Sequence, residues 1–266
     1  MSSIDDLFTK LRRENRKALM PFITAGDPDV DFTAAMIEQL VARGASMCEI
    51  GIPYSDPIAD GPVIQESYTR ALDRGIKVSD ILRTLGKVAA KIDAPLVTMV
   101  SYAIIYRHGA EQYADALQQK GVAGMIVPDL PVEESPQLAA VCASRNLSLI
   151  QLVTPTTSPD RALKIAETSS GFLYYVSVAG ITGERTELPP ELQDRVGWLR
   201  EQTPLPVCIG FGISQPEHVK LLAPVADGLI VGSAIVRRMA KAETAGRDCT
   251  LQDVGDYVST LLAAFA

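Results

Sequence analysis

Eight short apolar runs recur along this chain, and an amphipathic stretch follows each of them. The runs are ALMPFIT (18–24), SMCEIGI (46–52), PLVTMV (95–100), GMIVP (124–128), LSLIQLV (147–153), FLYYVSV (172–178), PVCIGF (206–211) and DGLIVG (227–232). Between them, stretches such as DFTAAMIEQLVARG (31–44), SPQLAAVCASRN (135–146) and PEHVKLLAPVADG (216–228) place apolar residues three and four apart, the helical period. Starts of successive runs lie about 22 to 34 residues apart, with one gap near 50. Strict alternation of strand and helix at that spacing predicts parallel strands joined by right-handed crossovers. Eight such units match a (β/α)8 TIM barrel, a single domain over residues 1–266, better than a doubly wound sheet with its fewer strands. The start, SSIDDLFTKLRRE, has Ser3 three residues before Asp6 and Ile4, Leu7, Phe8 and Leu11 on one face. It predicts an extra N-terminal helix across the bottom of the barrel.

In this architecture chemistry is done at the C-terminal ends of the strands and on the loops after them. The stretch EIGIPYSDPIADGP (49–62) puts a carboxylate, Glu49, inside the second apolar run. Side-chain alternation groups Glu49 with Met47 against Cys48 and Ile50. Barrel strands are covered on both faces, so either orientation takes Glu49 out of bulk water. One reading is a structural Glu paired with a cation, yet none of the eight runs contains Lys or Arg. The other is a carboxyl whose pKa rises into the range of acid/base chemistry near neutral pH. Asp60 lies eleven residues later, before Gly61 and Pro62. An Asp before Gly is commonly a turn residue, but this loop leaves the strand that carries Glu49 and so predicts both carboxylates over one barrel mouth. Asp56 reads as a turn former.

Glycine-rich turns follow the late runs: AGITGE (179–184), GFGISQPE (210–217) and VGSAIV (231–236). Backbone N–H groups opened by glycines at a helix start form an anion site, and the loops after strands 7 and 8 are its usual place in barrels. Gly212, Gly232 and Ser233 are the phosphate candidates, with Gly183 closing from the sixth loop. The alternative is that the glycines only make the turns. Residues 178–194 are polar and long for such a loop, and read as a lid or as a disordered surface segment.

The remaining residues narrow the chemistry. The nine lysines all fall in helices or loops away from strand C-terminal ends, which disfavours a Schiff-base or pyridoxal enzyme. Two histidines, His108 and His218, stand apart from any carboxylate cluster, so no metal site is expected. The four cysteines (48, 142, 208 and 249) are far apart and read as buried free thiols. An excess of 32 acidic over 25 basic side chains, with no basic run, argues against nucleic acid as a partner. No apolar run reaches the length of a membrane span, and the N-terminus mixes charges, so a soluble cytoplasmic protein is expected. What is left is two carboxylates, a tyrosine such as Tyr174 or Tyr102, and a phosphate cradle. That kit supports proton transfer, as in sugar-phosphate isomerisation, or carbon–carbon cleavage if the substrate itself stabilises the leaving carbon.

The blocks PFITAGDPD (21–29), EIGIPYSDPIADGP (49–62), VPDLPVEE (127–134), YYVSVAGITG (174–183), GFGIS (210–214) and DGLIVGSAIV (227–236) resemble, in order and spacing, the tryptophan synthase alpha subunit family. The resemblance covers nearly the whole chain. It implies a lyase that splits indole-3-glycerol phosphate into indole and glyceraldehyde 3-phosphate in tryptophan biosynthesis. It also implies no cofactor in this chain, and a pyridoxal-phosphate-dependent beta subunit partner in an alpha2beta2 heterotetramer. Carried over residue by residue, Glu49 is the acid/base, Asp60 stabilises charge at the ring nitrogen and Tyr174 assists. Gly183, Gly212, Gly232 and Ser233 take the phosphate, and Phe22, Val100, Tyr102, Thr182 and Phe211 line the pocket. Two positions depart from the family pattern, Cys48 before the catalytic Glu and Ile104 where Asn is common. Alternatives from the same residues are a stand-alone indole-releasing lyase, a sugar-phosphate isomerase and a non-catalytic activating subunit.

Overall fold

The computed structural model of the chain describes residues 2–58, 60–177 and 191–265. Eight parallel strands close into a barrel in sequence order: β1 (Ala18–Thr24), β2 (Cys48–Gly51), β3 (Leu96–Met99), β4 (Gly124–Ile126), β5 (Ser148–Val153), β6 (Leu173–Val176), β7 (Val207–Gly210) and β8 (Gly228–Val231). β8 pairs with β1, so neither has a free edge. Each strand lies within the run that anticipated it. The wide gap after the second run arises because two helices, Pro62–Asp73 and Val78–Ala89, fill the crossover from β2 to β3.

Alternation divides the strand residues between two apolar layers. Leu19, Ile23, Cys48, Ile50, Leu229 and Val231 face the surrounding helices, in the larger layer. Met20, Phe22, Met47, Val97, Ile150, Tyr174 and Ile230 fill the barrel interior. Glu49 has the parity of Met47 and therefore points inward, the orientation that alternation alone leaves undecided.

The N-terminal helix, Ser3–Arg13, closes the bottom of the barrel with Ile4, Phe8 and Leu11 buried. Phe8 meets Phe172 at 5.8 Å, just before β6. Its capping box is formed one residue earlier than the sequence pattern suggested. The Ser2 hydroxyl accepts from the Asp5 N–H, the Asp5 carboxylate accepts from the Ser2 N–H at 2.7 Å, and the Ser2 and Ser148 hydroxyls are 2.8 Å apart. Contact with the base of β5 thus decides between two adjacent serines. The helix expected over 216–228 stops at Leu222, since Pro224 removes a backbone donor and Asp227 is needed to begin β8. Cys48, Cys142 and Cys208 are buried free thiols, but Cys249 is exposed near the start of the C-terminal helix Arg247–Ala263, which corrects the expectation for that thiol.

Candidate active site

Glu49 sits in β2 with Phe22 of β1 and Val97 of β3 as its register partners. It is 3% exposed, and neither carboxylate oxygen has a hydrogen-bond partner among the described residues. A buried acid without donors is most stable uncharged. Burial, and secondly the charge of Asp60, push its pKa up to about 8. Glycine at position 51, next on the same inward face, makes the close approach possible. A Cβ there would fall 2.5 Å from the Phe22 ring and 2.7 Å from the Tyr68 hydroxyl.

Asp60 is held at a junction of loop and helix. The loop after β2 folds back through bonds from Ile58 N–H to the Asp56 carbonyl (2.8 Å) and from Asp60 N–H to the Pro57 carbonyl (3.0 Å). Gly61 then caps the helix Pro62–Asp73, with proline in its first turn. Gln65 in that turn donates to the Asp60 carbonyl at 2.7 Å. The helix is tied to β1 by Ser67 against Thr24 (2.6 Å), and to the following loop by a two-pronged ion pair from Arg70 to Asp27 (3.1 and 2.7 Å). Burial raises the Asp60 pKa to about 6. Asp56 is exposed and makes the turn, where it accepts from the Ser55 hydroxyl at 2.5 Å.

Both carboxylates line one cavity of roughly 450 Å3 at the C-terminal end of the barrel, with Phe22, Tyr174, Phe211, Gly212, Gly232 and Ser233. No Lys, Arg or His is among the lining residues described. Tyr174 points inward from β6 and is 3% exposed. Burial, and then the charges of Glu49 and Asp60, hold its phenol well above the usual range, so it remains a proton donor. Its ring meets Phe211 edge-on at 5.8 Å, and Gly210 leaves the space it occupies. Phe211 has a φ of +72° and Gly212 one of +76°, two successive left-handed residues at the end of β7. Such a conformation is costly for Phe and is typical of sites where geometry is imposed. The Ser177 hydroxyl, at the end of β6, donates to the Phe211 carbonyl. Gly232 and Ser233 lie where β8 passes into the helix Ser233–Met239.

The other expected residues are placed as follows. Val100, just past β3, lines an adjoining cavity of about 750 Å3 that shares Asp60, Met99 and Phe211 with the first. Tyr102 opens the helix Tyr102–His108 with its ring 6.4 Å from Tyr106, and lines neither cavity. Thr182, Gly183 and most of the 178–194 loop lie outside the described residues. Sequence reasoning passed over Ile64, Met99, Ile213 and Ile230 as lining groups. Met99 and Ile230 could have been found by extending the inward parity of Glu49 to neighbouring strands. Tyr54 and Tyr68, whose rings meet at 5.7 Å beside Asp60 in the adjoining cavity, come from a loop and a helix and carry no spacing signal. Among the described residues no group of His, Cys, Asp and Glu could hold a metal ion.

The sequence profile of the family described as "Tryptophan synthase alpha chain" matches residues 8–262. The chain is 57% identical to the tryptophan synthase alpha chain of Rhodopirellula baltica over 99% of both chains, and 46% identical to that of Synechocystis over 91% of this chain and 92% of the other. Among solved structures, the tryptophan synthase subunit alpha of Legionella pneumophila superposes with a TM-score of 0.92 at 37% identity, over 100% of this chain and 98% of that one. A chain of the Pyrococcus furiosus tryptophan synthase complex superposes with a TM-score of 0.84 at 33% identity, over 92% and 98% respectively.

Proposed function

The chain belongs to the tryptophan synthase alpha chain family, and from that premise we propose that Glu49, Asp60 and Tyr174 carry its lyase reaction in the cavity at the barrel mouth. The reaction is the retro-aldol cleavage of indole-3-glycerol phosphate to indole and glyceraldehyde 3-phosphate in tryptophan biosynthesis. The observation that carries the assignment is the inward Glu49 carboxyl, which has no hydrogen-bond partner among the described residues and a pKa pushed up to about 8.

At neutral pH Glu49 is protonated and Asp60 ionised, because their pKa values are pushed to about 8 and about 6. Glu49 gives its proton to the indole carbon that bears the glycerol chain, and the ring nitrogen becomes cationic. The Asp60 carboxylate stabilises that charge. The resulting Glu49 carboxylate then takes the proton of the adjacent glycerol hydroxyl as the carbon–carbon bond breaks. The bond's electrons neutralise the ring nitrogen, the hydroxyl carbon becomes the aldehyde, and Glu49 ends protonated as it began. The protonated indole accepts the electrons, so neither lysine nor metal is required. The Tyr174 phenol assists as a donor. The phosphate rests on the backbone at Gly212, Gly232 and Ser233, with Gly183 added from the sixth loop. Phe22 and Phe211 enclose the ring, with Val100 in the adjoining cavity, and Thr182 is assigned to the substrate on the family resemblance alone. Tyr102 is better read as part of the outer rim.

The partnered form is favoured over a stand-alone lyase by two large exposed apolar side chains, Ile58 (86% exposed) on the loop after β2 and Tyr106 (79% exposed) on the helix Tyr102–His108 after β3. We read them as the face met by a beta subunit, which carries pyridoxal phosphate, in an alpha2beta2 assembly in the cytoplasm. No helix among the described residues is long and apolar enough to cross a membrane. The single barrel is read as one domain over 1–266. The test is indole release from indole-3-glycerol phosphate with and without an added beta subunit. Failure of the intact chain to release indole in either case would overturn the reading.

A further inference from the structure

At the end of the barrel opposite the active site, two clefts join into one groove. The first, of about 1030 Å3, lies between the turn after the N-terminal helix and the helix Leu192–Gln202. The second, of about 1400 Å3, runs towards the C-terminal helix. They share Asn15, Arg16 and Lys17. Asn15 has a φ of +52°, so the turn reverses there before Arg16 and Lys17. Along the groove stand Arg12, Arg16, Lys17, Arg43, Arg200 and Lys220, six cations against two acids, Glu201 and Asp227. Over the whole chain acids outnumber bases by 32 to 25, so this concentration is opposite in sign to the rest of the surface.

Asp227, Glu14 and Asp256 are engaged by the arginines of the groove and not by its two lysines. Asp227 is buried and already accepts from the Val207 N–H at 2.9 Å, with Arg200 at 3.3 Å and Arg12 at 3.5 Å. Arg16 pairs with Glu14 at 3.0 Å, and Arg43 with Asp256 at 2.8 Å. Lys17 and Lys220 make no hydrogen bond or ion pair among the described residues. Lys17 is half-buried, and burial followed by the nearby Arg200 holds its ammonium below its ordinary pKa. Like charges gathered in a concave, partly desolvated place are unfavourable unless an anion joins them. A long nucleic acid would meet the acidic remainder of the surface, whereas a short anion would not.

We propose that this groove is a binding site for a small multivalent phosphate anion, held by Lys17 and Lys220 with the arginines along the walls. It is separate from the substrate phosphate cradle, which lies at the other end of the barrel.

The experiment is calorimetric titration of the full chain at low ionic strength with inorganic tripolyphosphate, orthophosphate and ATP. It is paired with mass-spectrometric footprinting of lysine acetylation. We expect saturable tripolyphosphate binding at least tenfold tighter than that of orthophosphate, and weakened at least tenfold by Lys17→Gln/Lys220→Gln. Tripolyphosphate should also slow acetylation of Lys17 and Lys220 in the unaltered chain, a readout that needs no variant to fold. ATP binding tighter than tripolyphosphate would assign the phosphate chain to a nucleotide, and equal binding to a free polyphosphate; both keep the site. Absence of saturable binding, orthophosphate binding as tightly, unchanged affinity in the folded double variant, or acetylation unaffected by the anion would each overturn it.

Discussion

Gly210 and Tyr174 lie on adjacent strands so close that a Cβ at position 210 would fall 2.1 Å from the Tyr174 hydroxyl and 2.5 Å from its ring. Both residues are buried in the barrel interior, so the added methyl has nowhere to go without moving the ring. We expect Gly210→Ala to destabilise the fold by about 1–3 kcal/mol, as overpacking does, and to lower indole release more than tenfold by displacing the phenol. The same change in a Tyr174→Ala background should cost much less, because the two sites are coupled. Urea unfolding of the four-member cycle checks this, and additive costs would refute the account.

Burial of Glu49 links stability to pH with a definite sign. Its folded pKa of about 8 exceeds the ordinary value of 4.5, so between those values the native state holds a proton that the unfolded chain has lost. Stability therefore falls as pH rises from about 4.5 to about 8, and levels off above that. At ~1.4 kcal/mol per unit the loss is about 5 kcal/mol. Asp60, raised to about 6, adds to the fall in the same direction. Glu49→Gln should leave only the Asp60 part of the fall, which ends near pH 6, and abolish cleavage. Chemical unfolding at several pH values measures both falls, and equal slopes between pH 6 and 8 in wild type and variant would contradict a buried Glu49 carboxyl held protonated in the native state.

The N-terminal plug is expected to depend on Ser2. Its hydroxyl accepts from the Asp5 N–H at 3.3 Å and meets the Ser148 hydroxyl at 2.8 Å. Ser2→Ala should cost about 1–2 kcal/mol, whereas Ser3→Ala, on an exposed residue inside the first turn, should stay within about 0.5 kcal/mol. Thermal unfolding of the two variants separates them.

That pair also shows what could be read before any coordinates. Continuous apolar runs between stretches of period three to four located all eight strands, because every strand is covered on both sides and carries no charge except at Glu49. Both Ser2 and Ser3 could cap the helix by sequence. Tertiary contact with Ser148 decides between them, and no local pattern records such a contact. The same limit applies in the site. Glu49, Asp60 and the late glycines stand out as exceptions to the pattern around them. Met99, Ile213 and Ile230 conform to it, and Tyr54 and Tyr68 reach the mouth from elements whose packing angle the sequence does not specify. Cys249 resembles the other cysteines in spacing but lies on an outward helix face.

The two carboxylates should shape the pH dependence of cleavage. In the proposed mechanism Asp60 acts ionised and Glu49 protonated, so kcat/KM should rise through about pH 6 and fall through about pH 8. The charge on Asp60 is the second cause of the high Glu49 value. Asp60→Asn should therefore remove the acid limb, move the alkaline limb to lower pH and reduce the maximum. Rates of indole release across pH 5–9 test this, and an alkaline limb unmoved by Asp60→Asn would separate the two groups.

Ile58 and Tyr106 should matter to the assembled enzyme and little to the isolated chain. At 86% and 79% exposure they contribute almost nothing to the core, so Ile58→Asp and Tyr106→Ala should each change stability by less than about 0.5 kcal/mol. Neither side chain lines the cavity that holds Glu49, so unpartnered turnover should be unchanged. A protein–protein interface concentrates its energy in a few large apolar side chains. Each substitution should therefore weaken binding to a beta subunit at least tenfold, and at limiting partner should reduce the stimulated rate in proportion. Titrating indole release against the beta subunit gives both quantities from one curve. Variants with the wild-type midpoint would show that the partner seats on another face of the barrel, whereas a shifted midpoint with an unchanged plateau places Ile58 and Tyr106 in the contact and outside the chemistry.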